Sequence, residues 1–346
     1  MMDTLAMKST VASLLAPGKG LLAADESIAT ISKRFEALGI VSTEDSRSSY
    51  RRLLFTTPAL SDHISGAILF DETIRQKVRD ALIPNALAQS GIVPGIKVDK
   101  GTVSLARFPG ERVTQGLDSL GGRLAEYCQL GARFTKWRAV IAVGDGLPTP
   151  ACIEANAHAL SMFAALSQEA GLVPIVEPEV LMDGNHTLER CEEVMSAVLN
   201  TVFARLFEYR VELETMLLKT GMALPGKECP QQSDIGEMAR ATIRCLRRAV
   251  PAAVPGIVFL SGGQSCVAAT KRLNEICSVG GVPWTLSFSF GRGLQDTALD
   301  VWKGSPANVT AAQDALRHRA ACNGLAVRGM YSDRAELNGD ELKGLS

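Results

Sequence analysis

The stretch LETMLLKTGM, residues 213–222, is an apolar run that ends in a single amine, Lys219. Two readings of that amine compete. It can reach past the end of a strand into water, its methylenes covering apolar surface. Or it sits in a low-dielectric pocket where charging is disfavoured, which makes it a nucleophile able to form a Schiff base. The rest of the chain decides between them.

Working outward, the same rhythm recurs. Short runs rich in Leu, Ile and Val alternate with longer segments that carry apolar residues every three or four positions, the pattern of a parallel sheet covered by helices. Besides the run at 213, seven others are GLLAADES from Gly20, GAILFDET from Gly66, VPGIKVDK from Val93, ARFTKWRAVIAVG from Ala132, LVPIVEPEV from Leu172, VPGIVFLSGG from Val254 and PWTLSFSFGRG from Pro283. Eight strands close a (β/α)8 TIM barrel of the α/β class. A doubly wound sheet with an appended helical part gives the same local pattern.

Between the runs, Cys191, Val194, Val198, Val202 and Leu206 share one helical stripe, as do Leu117, Leu120, Leu124 and Cys128. Thr149-Pro150 suits a helix start, and Gly39, Gly131 and Gly171 stand where helices end. No proline-rich or low-complexity linker divides the 346 residues, so one domain, 1–346, is expected. It would begin with an N-terminal helix and end in a flexible tail over about residues 330–346.

Composition excludes several function classes. With 36 basic and 37 acidic residues interspersed and a net charge of -1, no bulk attraction to nucleic acid or an anionic membrane is expected. No apolar run approaches the roughly 18 residues of a membrane span, and no secretory leader is visible. Eight cysteines lie apart without a CxxC pair, and four histidines are scattered, so reduced thiols in a cytoplasmic protein and no metal are expected.

The runs end in polar residues: Asp25 and Ser27, Asp71, Lys97 and Asp99, Lys136 and Arg138, Glu177 and Glu179, Lys219, then Ser261-Gly262-Gly263 and Ser289-Gly291-Arg292. In a barrel these ends converge on one mouth, where catalytic groups sit. A lysine of ordinary pKa, about 10.4, is a poor nucleophile near neutrality, and burial with a second ammonium, here Lys136, disfavours its charge. Glu177 and Glu179 share a strand face by their i, i+2 spacing and are placed to relay protons. The alternative is a Lys-Glu-Lys ion network that only holds the barrel together.

Ser261-Gly262-Gly263, followed by a helical segment, offers backbone N–H groups to an anion, and Gly291-Arg292 adds a guanidinium; the loops after strands seven and eight are where barrels bind phosphate. Opposite, Ser27, Thr30, Arg34 and Lys97 offer a second anion site, suited to a substrate phosphorylated at both ends.

These stretches together resemble class I fructose-1,6-bisphosphate aldolases. The matching segments are GKGLLAADES (18–27), GIKVDKG (95–101), KWR (136–138), VPIVEPEVL (173–181), LETMLLK (213–219), FLSGGQS (259–265) and FSFGR (288–292), in the family's order over nearly the whole length. The resemblance implies reversible cleavage of fructose 1,6-bisphosphate to dihydroxyacetone phosphate and glyceraldehyde 3-phosphate, without cofactor beyond the covalent lysine Schiff base, in a cytoplasmic homotetramer. It implies that Lys219 forms the Schiff base and that Glu177 is the general acid/base, with Glu179, Lys136 and Asp25 as electrostatic partners. Ser261, Gly262, Gly263, Ser289, Gly291 and Arg292 match one phosphate site; Ser27, Lys97 and Arg34 match binding positions toward the other end, with Arg47 and Arg138 beside them.

The chain departs from the family's pattern at several points. Thr220-Gly221-Met222 stands where Pro-Asn-Met is usual, which is expected to loosen the loop after the nucleophile. Thr30 replaces a serine and Phe290 a tyrosine, and the chain ends ELNGDELKGLS without the terminal tyrosine of eukaryotic members, while Tyr331 lies well upstream. A Schiff-base barrel acting on sedoheptulose bisphosphate, a transaldolase-like enzyme and a non-catalytic scaffold remain alternatives.

Overall fold

Eight of the apolar runs form the eight strands of a closed barrel in the computed structural model, which describes residues 4–337. The strands are β1 (Gly20–Ala24), β2 (Ile64–Leu69), β3 (Val93–Lys97), β4 (Phe134–Ile141), β5 (Val173–Val180), β6 (Leu217–Thr220), β7 (Gly256–Phe259) and β8 (Thr285–Phe290). Each pairs in parallel with its sequence neighbours, and β8 closes onto β1 through Leu21↔Ser289 and Leu22↔Phe290. Strands buried on both faces need no polar alternation, which is why they appear as continuous apolar runs; β2, β5 and β7 are buried throughout.

Helices cover the outside. Thr149 caps the helix Pro150–Glu169 by accepting from Cys152 N, and Pro150 occupies its first turn. On Leu188–Glu208 the residues of the expected stripe, from Cys191 to Leu206, are all buried. Gly39, Gly131 and Gly171 follow helices with positive φ, where a side chain would be strained.

The first helix, Thr4–Leu14, lies under the barrel rather than around it. Its Met7, Val11 and Leu14 join Leu21, Ile68, Phe134, Val173, Ile175, Leu217 and Val258 in one interior cluster. Ser65 Oγ donates to Leu14 O at 2.6 Å and ties the helix end to β2. Space at this end is so scarce that a Cβ on Gly95 would stand 2.3 Å from the Phe134 ring.

The run at 213 yields a shorter strand than its length suggests. Leu213–Thr215 is a 3-10 turn, because the buried Gln168 amide accepts from Glu212 N at 3.0 Å and donates to Glu212 O and Thr215 Oγ1, both at 2.8 Å. Of the expected flexible tail, residues 338–346 lie outside the described residues. Among those described, Asp333–Glu336 is a 3-10 turn, and Tyr331 is buried with its hydroxyl donating to Glu336.

Candidate active site

The parallel register sets the charged strand ends in one layer. Lys97 of β3 is opposite Lys136 of β4, and Arg138 is opposite Glu177 of β5. Across the mouth, Lys136 Nζ lies 2.6 Å from Asp25 Oδ2 and 3.1 Å from Glu177 Oε2, while Lys219 Nζ lies 3.0 Å from Glu177 Oε1. Lys219 is 4 % exposed, so its amine does not reach into water.

Electrostatics in this group are strong because water is excluded. Burial pushes the Asp25 carboxyl up, but the ammoniums of Lys136 and Lys219 outweigh it and bring it down to about 2. Burial likewise raises Glu177, and Lys136, Lys219 and Arg138 together hold it below the ordinary carboxylate value. Burial pushes the Lys136 ammonium down, yet Asp25 and Glu177 carry it well above the usual lysine range, so Lys136 stays charged at any neutral pH.

Flanking pairs hold these groups in place. Arg138 Nε donates to Glu179, and burial, which pushes its guanidinium down, is outweighed by Glu179, Glu177 and Asp99. Asp99 receives Lys97 Nζ, Gly101 N at 3.1 Å and Arg138 N at 3.2 Å. Residues 221–226, where Thr220-Gly221-Met222 was expected to loosen the chain, are buried, and Ala223 N donates to Thr242 Oγ1 at 2.9 Å. Packing thus restrains the backbone that lost its proline.

The residues expected to bind an anion after β7 and β8 lie beside one another, since the two strands pair. Gly262 and Gly263 both have positive φ, +54° and +82°, which a side chain would strain, and Gln264 N turns back to Ser261 O at 3.0 Å to close the turn. Ser289 Oγ, buried, finds no hydrogen-bond partner in the protein. Gly291 caps the helix Arg292–Trp302, whose N-terminus opens at the mouth. Among the described residues Arg292 makes no ion pair, in contrast to Arg34.

The expected opposite placement of Ser27, Thr30 and Arg34 is corrected by the pairing of β1 with β8, which sets them beside the Ser289-Arg292 turn: Ser27 caps the helix Ile28–Glu36, its Oγ 3.0 Å from Thr30 Oγ1. Arg34 is shared between Glu26 and Asp296 Oδ1, the latter at 2.9 Å. Ser27, Thr30, Arg34 and Lys97 all line the same cavity of about 1030 Å³ as Lys219 and Arg292. Arg47 and Gly263 are not among its lining residues; Arg47 is held by Glu72 in two bonds at 2.9 and 2.5 Å.

Two residues escaped the sequence reading. Glu26, inside GLLAADES, takes both Arg34 and Arg51, the latter at 2.8 Å; its place between Asp25 and Ser27 was the available signal. Lys227 comes within reach of Gly263 from a loop that no strand-end pattern marks. Among the described residues one metal-capable group assembles, His318, Cys322 and Glu336, on the last helix and the turn beyond it and not at the mouth. There Glu336 is already paired with Arg319 and Tyr331.

The family described as fructose-bisphosphate aldolase class-I matches residues 6–343. A probable fructose-bisphosphate aldolase class 1 of Xanthomonas campestris pv. campestris is 54% identical over 94% of this chain and 98% of its own. The cytosolic fructose-bisphosphate aldolase 4 of Arabidopsis thaliana is 48% identical over 93% of this chain and 82% of its own. A fructose-bisphosphate aldolase of Plasmodium falciparum, solved in complex with TRAP and a small-molecule inhibitor, superposes with a TM-score of 0.93 at 46% identity, over 95% of both chains. With a barrel that carries a buried lysine against a glutamate, and relatives matched along nearly its whole length, the chain belongs to the class I fructose-bisphosphate aldolase family.

Proposed function

We propose that this protein reversibly cleaves fructose 1,6-bisphosphate to dihydroxyacetone phosphate and glyceraldehyde 3-phosphate, a step of glycolysis and gluconeogenesis, through a Schiff base on Lys219. The observation that carries the reading is the Lys219 Nζ to Glu177 Oε1 contact of 3.0 Å, buried in a cavity with cations on both sides.

Attack on the keto carbon needs a lone pair on Lys219 Nζ, and Glu177 is the adjacent acceptor for the proton that must leave. The same carboxyl returns a proton to the carbinolamine oxygen as water departs, leaving a protonated imine. The bond between the third and fourth carbons then breaks, with its electron pair moving into the imine to form an enamine. The proton of the fourth-carbon hydroxyl passes to a carboxylate, and the aldehyde half leaves. Protonation of the enamine at the third carbon and hydrolysis by water release the ketose half and restore the amine. Lys136, fixed as an ammonium by Asp25, steadies the oxyanions near Glu177, and Glu179 anchors Arg138 beside them. Ser261, Gly262, Gly263, Ser289, Gly291 and Arg292 receive one phosphate, with Ser27, Thr30 and Arg34 beside them; Lys97 serves the other end.

Borohydride reduction in the presence of fructose 1,6-bisphosphate, followed by mass spectrometry, tests this reading. One adduct on Lys219, absent in Lys219→Met, is expected; an unlabelled Lys219 overturns it. Activity that persists in a chelator accords with metal-independent chemistry. A cytoplasmic homotetramer follows from the family resemblance, and light scattering checks the subunit count. No helix among the described residues is long and apolar enough to cross a membrane.

A further inference from the structure

Gly263 stands between two cations. An ideal Cβ built on it would lie 3.2 Å from Arg292 Nη2 and 3.2 Å from Lys227 Nζ, so the guanidinium and the ammonium are no farther apart than those two distances laid end to end. Like charges at such range repel unless an anion lies between them. Lys227 Nζ instead turns to Asp183 Oδ1 at 2.9 Å. That pair is loose: the Lys227 side chain is 44% exposed and that of Asp183 69%. Exposed pairs of this kind contribute little and are readily exchanged.

The backbone under Lys227 is by contrast firmly set. Gly226 N donates to His186 O at 2.8 Å, Lys227 N to Met182 O at 2.8 Å, and Glu228 N to Gly184 O at 2.9 Å. The loops after β5 and β6 are thereby stitched together, and Gly226 is required there, since a Cβ would stand 2.2 Å from Gly184 O. The result is a partly exposed ammonium on a fixed base, beside Gly263.

We propose that Lys227 is a second cation for the phosphate monoester received by the Ser261–Gly263 loop, and that Asp183 holds it in reserve until a dianion arrives. This rests on that loop being a phosphate site. A phosphate oxygen drawn toward Gly263 N meets Arg292 from one side and Lys227 from the other, and Lys227 exchanges a singly charged exposed carboxylate for a doubly charged ligand. Lys227 thus makes the site discriminate by phosphate charge, and Asp183 sets how much binding energy that exchange yields.

The two partners make opposite predictions, which separates a binding role from a merely structural one. With the full-length enzyme at low ionic strength, Lys227→Met is expected to raise KM for fructose 1,6-bisphosphate and the dissociation constant of inorganic phosphate, by calorimetry, about tenfold. Its kcat and thermal midpoint stay near the parent's. Lys227→Arg restores both constants, while Asp183→Asn lowers them by releasing the ammonium. If Lys227→Met and Asp183→Asn shift KM in the same direction, or leave both constants unchanged, the proposal is overturned even though turnover survives. Phosphate calorimetry needs no turnover, so a parent enzyme that cleaves no fructose 1,6-bisphosphate refutes the aldolase reading separately.

Discussion

Glu177 divides its two carboxylate oxygens between two ammoniums, Oε1 to Lys219 at 3.0 Å and Oε2 to Lys136 at 3.1 Å. The carboxylate therefore balances the buried layer and also stands next to the amine proposed to form the Schiff base. Glu177→Gln removes both services. The expected loss in kcat is about 10²- to 10⁴-fold, the range of general acid–base catalysis, with a parallel slowing of borohydride trapping. Two ammoniums left around a neutral amide also destabilise the fold, by about 3–5 kcal/mol. Urea unfolding of Glu177→Gln and Glu177→Asp reads that cost; if the two variants match the parent in kcat and midpoint, the assignment fails.

Asp25 gives the fold an acid edge. Its carboxyl is held down at about 2 in the folded chain against 3.8 for the free side chain. A depressed folded-state pKa adds stability that is complete above the unfolded value and drains away as pH falls toward the folded one. The window therefore runs from roughly pH 4 down to roughly pH 2, and the amount is about 2 kcal/mol. Urea midpoints measured across that window should fall in the parent and fall less steeply in Asp25→Asn. Equal slopes for the two proteins contradict the pairing with Lys136.

Ser289 separates stability from binding. A buried hydroxyl without a partner costs folding free energy, so Ser289→Ala is expected to leave the unfolding midpoint unchanged or to raise stability by about 1 kcal/mol. In the proposed phosphate site the same hydroxyl has an anion to donate to, and its removal is expected to raise KM several-fold. A lowered midpoint with an unchanged KM would place Ser289 in the scaffold alone.

Gly95 tests the tightness of the barrel's lower end. With the Phe134 ring 2.3 Å from where a Cβ would stand, Gly95→Ala forces β3 or the ring to move. Overpacking of this kind costs about 1–3 kcal/mol. A smaller partner relieves it, so Gly95→Ala with Phe134→Leu is expected to be more stable than the sum of the single effects. Simple additivity in denaturant unfolding would mean that the ring is not what the new methyl meets.

Much of this was legible because barrel strands are buried on both faces and end in charge. Lys136, Glu177 and Lys219 could be placed in one layer from their positions at the ends of apolar runs, and the structure brings them within hydrogen-bond distance. What stayed hidden depends on contacts across the chain. The 3-10 turn at Leu213–Thr215 is dictated by Gln168, 45 residues upstream of the turn's first residue. Lys227 reaches Gly263 only because the loops after β5 and β6 are laced together through main-chain bonds, which carry no side-chain signature. Arg47, assigned to the substrate by resemblance, is occupied by Glu72, a carboxylate 25 positions on that no local spacing links to it.

The helix under the barrel has one last effect. Met7, Val11 and Leu14 cork the tube from beneath, at the end away from the charged layer that lines the cavity. In the proposed reaction the fragment tethered to Lys219 therefore has no way out through the floor and waits at the charged end after its sibling has gone.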